Sequence, residues 1–472
     1  MIPVSRRTFL ASAAALPFLH WLERVAPTLE FQKLVRYDAT SSQGQAMLAT
    51  YANAVSAMKR LPTSDPRSWN FQWYIHSLPT DKNTTINSVF GSGSSPNKTL
   101  AQASWKTCQP HNTPYVENYF LPWHRAYVLY FESIVRQISG VPSFTLPYWN
   151  YTVTGAQHGV IPPQFRNTSS SLYVANRKTT PNVNGGAPID QGLNPTPINL
   201  DSLKYCNYDT FNQQLDQGLH GAVHGLTGTG TNMGAVPYAA GDPVFWAHHC
   251  QIDRIWASWQ RAGRTTPSLS YNFTFVNAGG GSVTVNLSQF LDYTAQPYVY
   301  DSYVAVPACL TTRNLAVQRE DILAARPKVG PIPLGPGPVE VTLSPRDTSR
   351  PLSARLRAMA GEERVFLVVR DVRTNTAPNG LFQVFLQLPA NATAATRPQY
   401  HVGYINFFDA SGGMGQNGQH GATFRFDITD LVRRLSAARA MEGSVRVLVQ
   451  PAGGTTLGGA RPVIGDIVMT HM

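Results

Sequence analysis

Cysteine is scarce in this chain. Cys108, Cys206, Cys250 and Cys309 are the only four among 472 residues, and no two of them stand as Cys-x-x-Cys. That excludes a disulfide scaffold and the paired-thiolate zinc and redox motifs, and leaves room for one disulfide in an oxidising compartment. Long apolar runs are missing as well. Past the N-terminal stretch nothing approaches the ~18 apolar residues of a membrane span. Basic residues outnumber acidic ones, 38 to 27, but they are dispersed. Without a Lys/Arg block the excess reads as surface charge, and no nucleic-acid partner is expected. No internal repeat is present, which excludes solenoids and propellers. What remains is an ordinary globular composition, 43% hydrophobic and 11% aromatic, on a chain long enough for about two or three domains.

The first residues are set aside from the fold. Ser5-Arg6-Arg7-Thr8-Phe9-Leu10 and the apolar run after it resemble a twin-arginine export signal, here residues 1–27. That route carries folded proteins, and it implies a periplasmic or secreted protein. No clean small-x-small cleavage site follows the run.

The densest information lies in Asp242-Pro-Val-Phe-Trp-Ala-His248-His249-Cys-Gln-Ile-Asp253-Arg254-Ile-Trp256. Asp242 is a good N-cap, Pro243 suits the first helical position, and Gly263 is placed to end the helix. Phe245, Ile252 and Trp256 form an apolar row, and His249 lies in it. A lone histidine on such a face is usually a core residue. This one has company. His220 and His224 stand four apart, on one face of a helix, and His124 sits at another helix start, Phe120-Leu-Pro-Trp-His124-Arg125. Three helical elements that offer imidazole, with neither carboxylates nor paired cysteines, suit a borderline metal such as copper or zinc.

Together FLPWHR, HxxxH and DPVFWxHHxxIDRxW resemble the coupled dicopper centre of tyrosinases, catechol oxidases and haemocyanins, over roughly residues 30–310. The resemblance implies a mainly α catalytic domain, with a four-helix core and long loops, that holds two copper ions by three histidines each. For copper B it implies His220, His224 and His249. The family's ligand is the second histidine of the pair, and His248 becomes a neighbour that lines the pocket. For copper A it implies His124 and His76, the latter ending the aromatic run Trp73-Tyr-Ile-His76. The remaining ligand usually lies nine residues before the PWHR histidine, where this chain has Tyr115. The nearest histidine is His111, so an insertion is inferred and His111 is assigned to copper A. In some relatives a nearby cysteine is bonded to this histidine. Cys108, spaced Cys-x-x-His, is either such a thioether partner of His111 or a thiol or disulfide cysteine. His20, His158, His401, His420 and His471 have no partner spacing and are expected as surface or core residues.

Second-rank positions follow from the same resemblance. Asp216, four before His220, matches an acidic residue that holds a water near copper B; a plain helix charge is the alternative. Gly221, after His220, stands where monophenol-hydroxylating tyrosinases often carry asparagine, which favours diphenol oxidation. Gly225 follows His224. Val236, thirteen before His249, is small where some catechol oxidases place a blocking phenylalanine, so an open pocket is expected. Asp253 and Arg254 match a structural pair. Neutral imidazole is required for ligation, so binding should weaken below the histidine range.

Along the chain, residues 44–60 read as an amphipathic helix and residues 69–76 as a second, aromatic segment. The helix from Pro122 buries Tyr127, Phe131, Ile134 and Ile138, and residues 150–205 read as long loops. Tyr298-Val-Tyr300, with Arg36 expected to pack against it, resembles the end of a plant-type catalytic domain. The catalytic domain is therefore placed at 28–312, a Pro/Gly-rich linker at 313–337, and an all-β sandwich at 338–472, where alternation replaces helical periodicity. Plant polyphenol oxidases have a similar C-terminal domain that covers the active site. Tyr404, Phe407 and Phe408 are the apolar candidates for the covering side chain. The expected function is a copper-dependent polyphenol oxidase that uses dioxygen to convert o-diphenols, and in some members monophenols, to o-quinones. An o-aminophenol oxidase and a haemocyanin-like oxygen carrier are the alternatives. Its partners are phenolic small molecules and dioxygen.

Overall fold

A nineteen-residue helix, Ser42–Arg60, opens the body of the protein. Ser41 caps it by accepting from Gly44 N, and Leu48, Tyr51, Val55 and Met58 are buried along one face. The computed structural model describes residues 33–108, 119–310, 321–327, 330–358, 363–410 and 421–471. The segment 1–27, His20, His111, Tyr115 and His420 lie outside the described residues. Among the described residues no helix is long and apolar enough to cross a membrane.

Helix Phe120–Ser139 packs between Ser42–Arg60 and Val244–Arg261. Gly140, at φ 66°, ends it in the left-handed conformation that glycine tolerates best. The seam is aromatic: the Phe131 and Trp246 rings stack with centroids 3.5 Å apart. The fourth wall is the continuous run Tyr208–Gln214, Leu215–His220 and Gly221–Thr227, whose middle piece is a π-helix. One apolar row was expected on Val244–Arg261, but every residue from Val244 to Trp259 is buried. It is the central helix, and its polar side faces other protein rather than water. Asp242 serves its start by accepting from Val244 N at 3.0 Å, while Arg177 pairs with the same carboxylate at 2.7 Å. Residues 150–205 run mostly as turns and short helices over this core.

A buried ion network ties the ends of the helical domain together. Strand Leu34–Arg36 pairs in parallel with Tyr298–Tyr300. The Arg36 guanidinium lies 3.5 Å from the centre of the Tyr298 ring and pairs with Glu132 at 2.9 Å and Asp253 at 3.1 Å. Asp253 also accepts from Arg125 and from the hydroxyls of Tyr298 and Tyr300. These cations, foremost Arg125 and Arg36, outweigh burial and hold the Asp253 carboxyl below its usual range. Buried charge is tolerable only when paired in this way. Cys206 and Cys309 form the one disulfide among the described residues, closing a separation of 103 positions.

The second domain is an antiparallel sheet. Its strands run in the spatial order His401–Ile405, Phe382–Leu386, Val445–Pro451, Val339–Pro345, Asp321–Ala325, Val463–His471, Val365–Arg373, Ala422–Asp427, with Ile332–Pro333 paired to Val463–His471. The end strands approach one another: a Cβ on Gly403 would fall 2.4 Å from the Phe426 ring. The sheet therefore wraps around its own apolar core. Two features depart from the sequence reading. Asp321–Ala325 and Ile332–Pro333, within the 313–337 segment expected as linker, are strands of this sheet. Five residues of mostly small side chains carry too little alternation to announce a strand. The domain also holds helices Leu352–Ala358 and Thr429–Ala437. The latter buries Leu431, Val432 and Leu435, a helical spacing overlooked among the strands.

Candidate metal centre

Two of the walls, Phe120–Ser139 and the run Tyr208–Thr227, deliver imidazole inward with one nitrogen already engaged. His224 Nδ1 lies 2.8 Å from the Met233 carbonyl oxygen, and His124 Nδ1 lies 2.8 Å from that of Phe120. A carbonyl can only accept, so both rings are Nδ1–H tautomers that offer Nε2 as the lone pair. His220 Nδ1 lies 3.3 Å from the Asp216 carbonyl oxygen and 3.0 Å from Asp216 Oδ1. Asp216 and His220 both ride on the π-turn Leu215–His220, an irregularity often found at functional sites. Burial pushes the Asp216 carboxyl well above its usual range.

The side chains form two adjoining groups. In one, ligand atoms of His220, His224, His248 and His249 all lie within 4.8 Å of one another; in the other, those of His76, Cys108 and His124 do the same. The groups meet where the His124 and His249 rings stack, with centroids 4.2 Å apart and planes at 6°. Phe120 wedges between His124 and His220, at 4.8 and 4.7 Å, and Phe245 between His76 and His249, at 4.9 and 4.2 Å. Thus His76, His124, His220, His224 and His249 converge as expected, and His111 lies outside the described residues. His248, expected as a pocket-lining neighbour, lies within the first group, and its ring stacks on His220 at 5.3 Å. Cys108 Sγ sits 3.6 Å from His124 Nε2, and burial raises its thiol pKa, helped by the charges of Asp409 and Asp216.

These groups fit a metal. Neither ring nitrogen of His248 or His249 has a hydrogen-bond partner among the described residues, and both residues are fully buried. Four such orphans in one place are costly unless something else coordinates them. Burial holds His248 neutral, with its pKa near 3. Burial first, then His124 and the other three histidines, push His249 well below its usual value. Neutral imidazole is the ligating form.

Residues 66–201 and 191–262 match the common central domain of tyrosinase. Over these residues the chain carries the central domain shared by the tyrosinase and polyphenol oxidase family. This is a family of copper-dependent phenol oxidoreductases, and the imidazole donors suit copper. Tyrosinase HcTyr1 of Hahella sp. (strain CCB-MM4) is 29% identical over 430 residues, 82% of this chain and 89% of that protein. Aureusidin synthase of Antirrhinum majus is 28% identical over 304 residues, 56% of this chain and 50% of that protein, so the chain spans about half of this plant relative. The structure of latent apple tyrosinase superposes with a TM-score of 0.61 at 21% identity, covering 93% of this chain and 97% of that one. The fold therefore extends over both domains. Residues 320–457 match a domain of unknown function (DUF7868).

This second domain reaches the tyrosinase-like centre. The Phe408 ring stacks on His224 with centroids 3.8 Å apart and planes at 12°, and meets His220 edge-on at 5.4 Å. Tyr404 instead donates to the Pro195 carbonyl at 2.7 Å, and Phe407 turns into its own domain against Phe382. Gly221 is not open space: the side chain of Asn406 stands against it. Val236 begins the short helix Val236–Ala239, half-buried at the edge of the catalytic core. Sequence reasoning missed the π-turn, the Met233 and Phe120 carbonyl anchors, and Asn406. None carries a spacing signal, because each depends on a contact distant in sequence or on backbone geometry.

Proposed function

We propose that this chain is a two-copper polyphenol oxidase that converts o-diphenols to o-quinones, and that its C-terminal domain holds it in a covered state. The balanced reaction takes two o-diphenols and one dioxygen to two o-quinones and two waters. The reading is carried by the two adjoining donor groups joined by the stacked His124 and His249 rings. Copper B is assigned to His220, His224 and His249, and copper A to His76, His111 and His124. His249 is preferred over His248 because it faces the other donor group, whereas His248 packs beside Tyr151 at 5.5 Å. Bound copper supplies dioxygen binding and the acceptance of electrons from the phenol.

The protein's own residues prepare the ground. Carbonyl anchors fix the rings of His124 and His224 before metal arrives, and Asp216 positions His220 in the same way. Asp216 is thus read as a positioning residue whose proximity to His220 Nδ1 orients the ring. His248, with unpartnered ring nitrogens beside the centre, is placed to accept a hydrogen bond from the phenolic hydroxyl. Gly221 offers no side chain of its own to orient a water, which favours diphenols over monophenols. Phe408 excludes water and bulky phenols from the copper B side while the cover is in place. Export by the twin-arginine route, from segment 1–27, to the periplasm or beyond belongs to the same proposal.

Oxygen uptake with catechol, and with tyrosine beside it, tests the activity. We expect uptake with quinone formation, faster for the diphenol. Reversible oxygen binding without quinone would instead mark an oxygen carrier, and turnover only with an o-aminophenol would mark the biosynthetic alternative.

A further inference from the structure

The helix that carries His220 and His224 contains a glycine directly after each. Gly221 has ordinary right-handed helical angles, φ −63° and ψ −32°, so its backbone does not require glycine. Glycine inside a helix costs roughly 0.5–1 kcal/mol relative to alanine, and helix Gly221–Thr227 holds two in seven residues. Close approach by another part of the chain explains both. A Cβ on Gly221 would fall 2.5 Å from Asn406 Nδ2 and 2.7 Å from Asn406 Cγ. One turn later, a Cβ on Gly225 would fall 3.2 Å from Leu381 Cδ2. Just beyond the helix, a Cβ on Gly230 would fall 3.3 Å from the Ala377 carbonyl oxygen. All three neighbours belong to the C-terminal domain.

Asn406 does more than fill space. It is buried, its Nδ2 donates to the Gln217 carbonyl at 2.7 Å, and its Oδ1 accepts from Phe408 N at 3.2 Å. Gln217 lies in the π-turn that ends at His220. One amide therefore reads the backbone beside His220 and fixes the backbone of the residue stacked on His224. Leu381 and Phe408 pack in the catalytic core rather than in that of their own domain.

We infer that Gly221 and Gly225 form a docking seat for the C-terminal domain, and that Asn406 is the positioning residue that sets Phe408 over the copper B histidines. The residues after His220 and His224 then govern how tightly the chain covers its own site, in addition to any effect on the choice of phenol. This inference rests on the covered-state reading above.

The test uses full-length, copper-loaded protein and two readouts. One is the ratio of catechol oxidation after and before mild detergent. The other is hydrogen exchange of the 404–408 backbone, which needs no activity. Asn406→Ala removes the key from the far domain and spares the helix. It should lower the activation ratio roughly tenfold, about the weight of one buried hydrogen bond, and speed exchange at 404–408. Gly221→Ala should do the same by collision. Gly221→Ala combined with Asn406→Gly should be no more open than Asn406→Gly alone, because the collision is gone. A wild type that is latent while Asn406→Ala and Gly225→Leu keep its full activation ratio and exchange protection would overturn the seat. A wild type with no latency would overturn the covered-state reading instead, and exchange at 404–408 in Asn406→Ala would still decide the seat. Should Gly221→Ala fail to fold, Asn406→Ala and Gly225→Leu carry the test.

Discussion

The two halves of the centre are built differently. The half we propose for copper B takes His220 and His224 from consecutive turns of one helical run and His249 from the middle of the deeply buried helix Val244–Arg261. The half we propose for copper A takes His76 from the last residue of a short helix and His124 from the beginning of a long one, with Cys108 beside them from the stretch after Pro96–Ser104. Donors inside regular elements inherit their direction from helical phase, so packing the helices places the ligands. Donors at element ends depend on the connecting chain. The copper B half should therefore respond sharply to single substitutions, and the copper A half should tolerate more.

The largest expected effect separates the two adjacent histidines. His249→Ala should leave one copper per chain and reduce catechol oxidation to background, while His248→Ala should keep two coppers. Metal analysis after dialysis reads both, and the reverse pattern would exchange their roles. Next comes the residue that joins the halves. Asp253 lies one turn beyond His249 and holds Arg125, the neighbour of His124. Asp253→Ala should destabilise the fold by about 3–5 kcal/mol, since it takes the carboxylate partner from buried Arg125 and one of two from Arg36. Urea unfolding measures this, and a loss below ~1 kcal/mol would show that the network is not needed. On the copper A side, His111→Ala should remove one copper, whereas Cys108→Ser should retain two with weaker copper A binding. Full copper retention in His111→Ala would make Cys108 the better candidate for that position.

The smallest effect concerns pH in the metal-free protein. His248, with a folded pKa of about 3, and His249, also depressed, stay neutral when the unfolded chain begins to take up protons. Stability is thus fully present above about pH 6.5 and is lost as pH falls through that value toward the folded pKa. The metal-free melting temperature should drop between about pH 7 and pH 5, on the order of a few kcal/mol in stability. His248→Gln should flatten this slope. An unchanged slope would place the titration elsewhere.

The same contrast explains what could be read from the sequence. The helices 44–60 and 69–76, the Asp242 and Gly263 boundaries and five converging histidines were legible, because each depends on local periodicity or a motif. His248 read as a pocket-lining neighbour rather than a donor because α-helical phase assigns one face to a core, whereas Val244–Trp259 is buried on all sides. The Asp216 contact depends on a π-turn that residue spacing does not announce. The strands at Asp321–Ala325 and Ile332–Pro333 are held by pairing with Val463–His471 at the far end of the chain. Gly221 read only as a position without a side chain to orient a water, whereas Asn406, from the other domain, stands against it. Local patterns reveal the donors, and long-range contacts determine their surroundings.

The most direct test of the account is copper stoichiometry and oxygen uptake on the same full-length sample, before and after cleavage between the domains. Two coppers per chain are expected throughout, with one dioxygen consumed per two catechols and a higher rate after cleavage, most of all for bulky phenols. Two bound coppers with no catechol-dependent oxygen uptake in either form would contradict it.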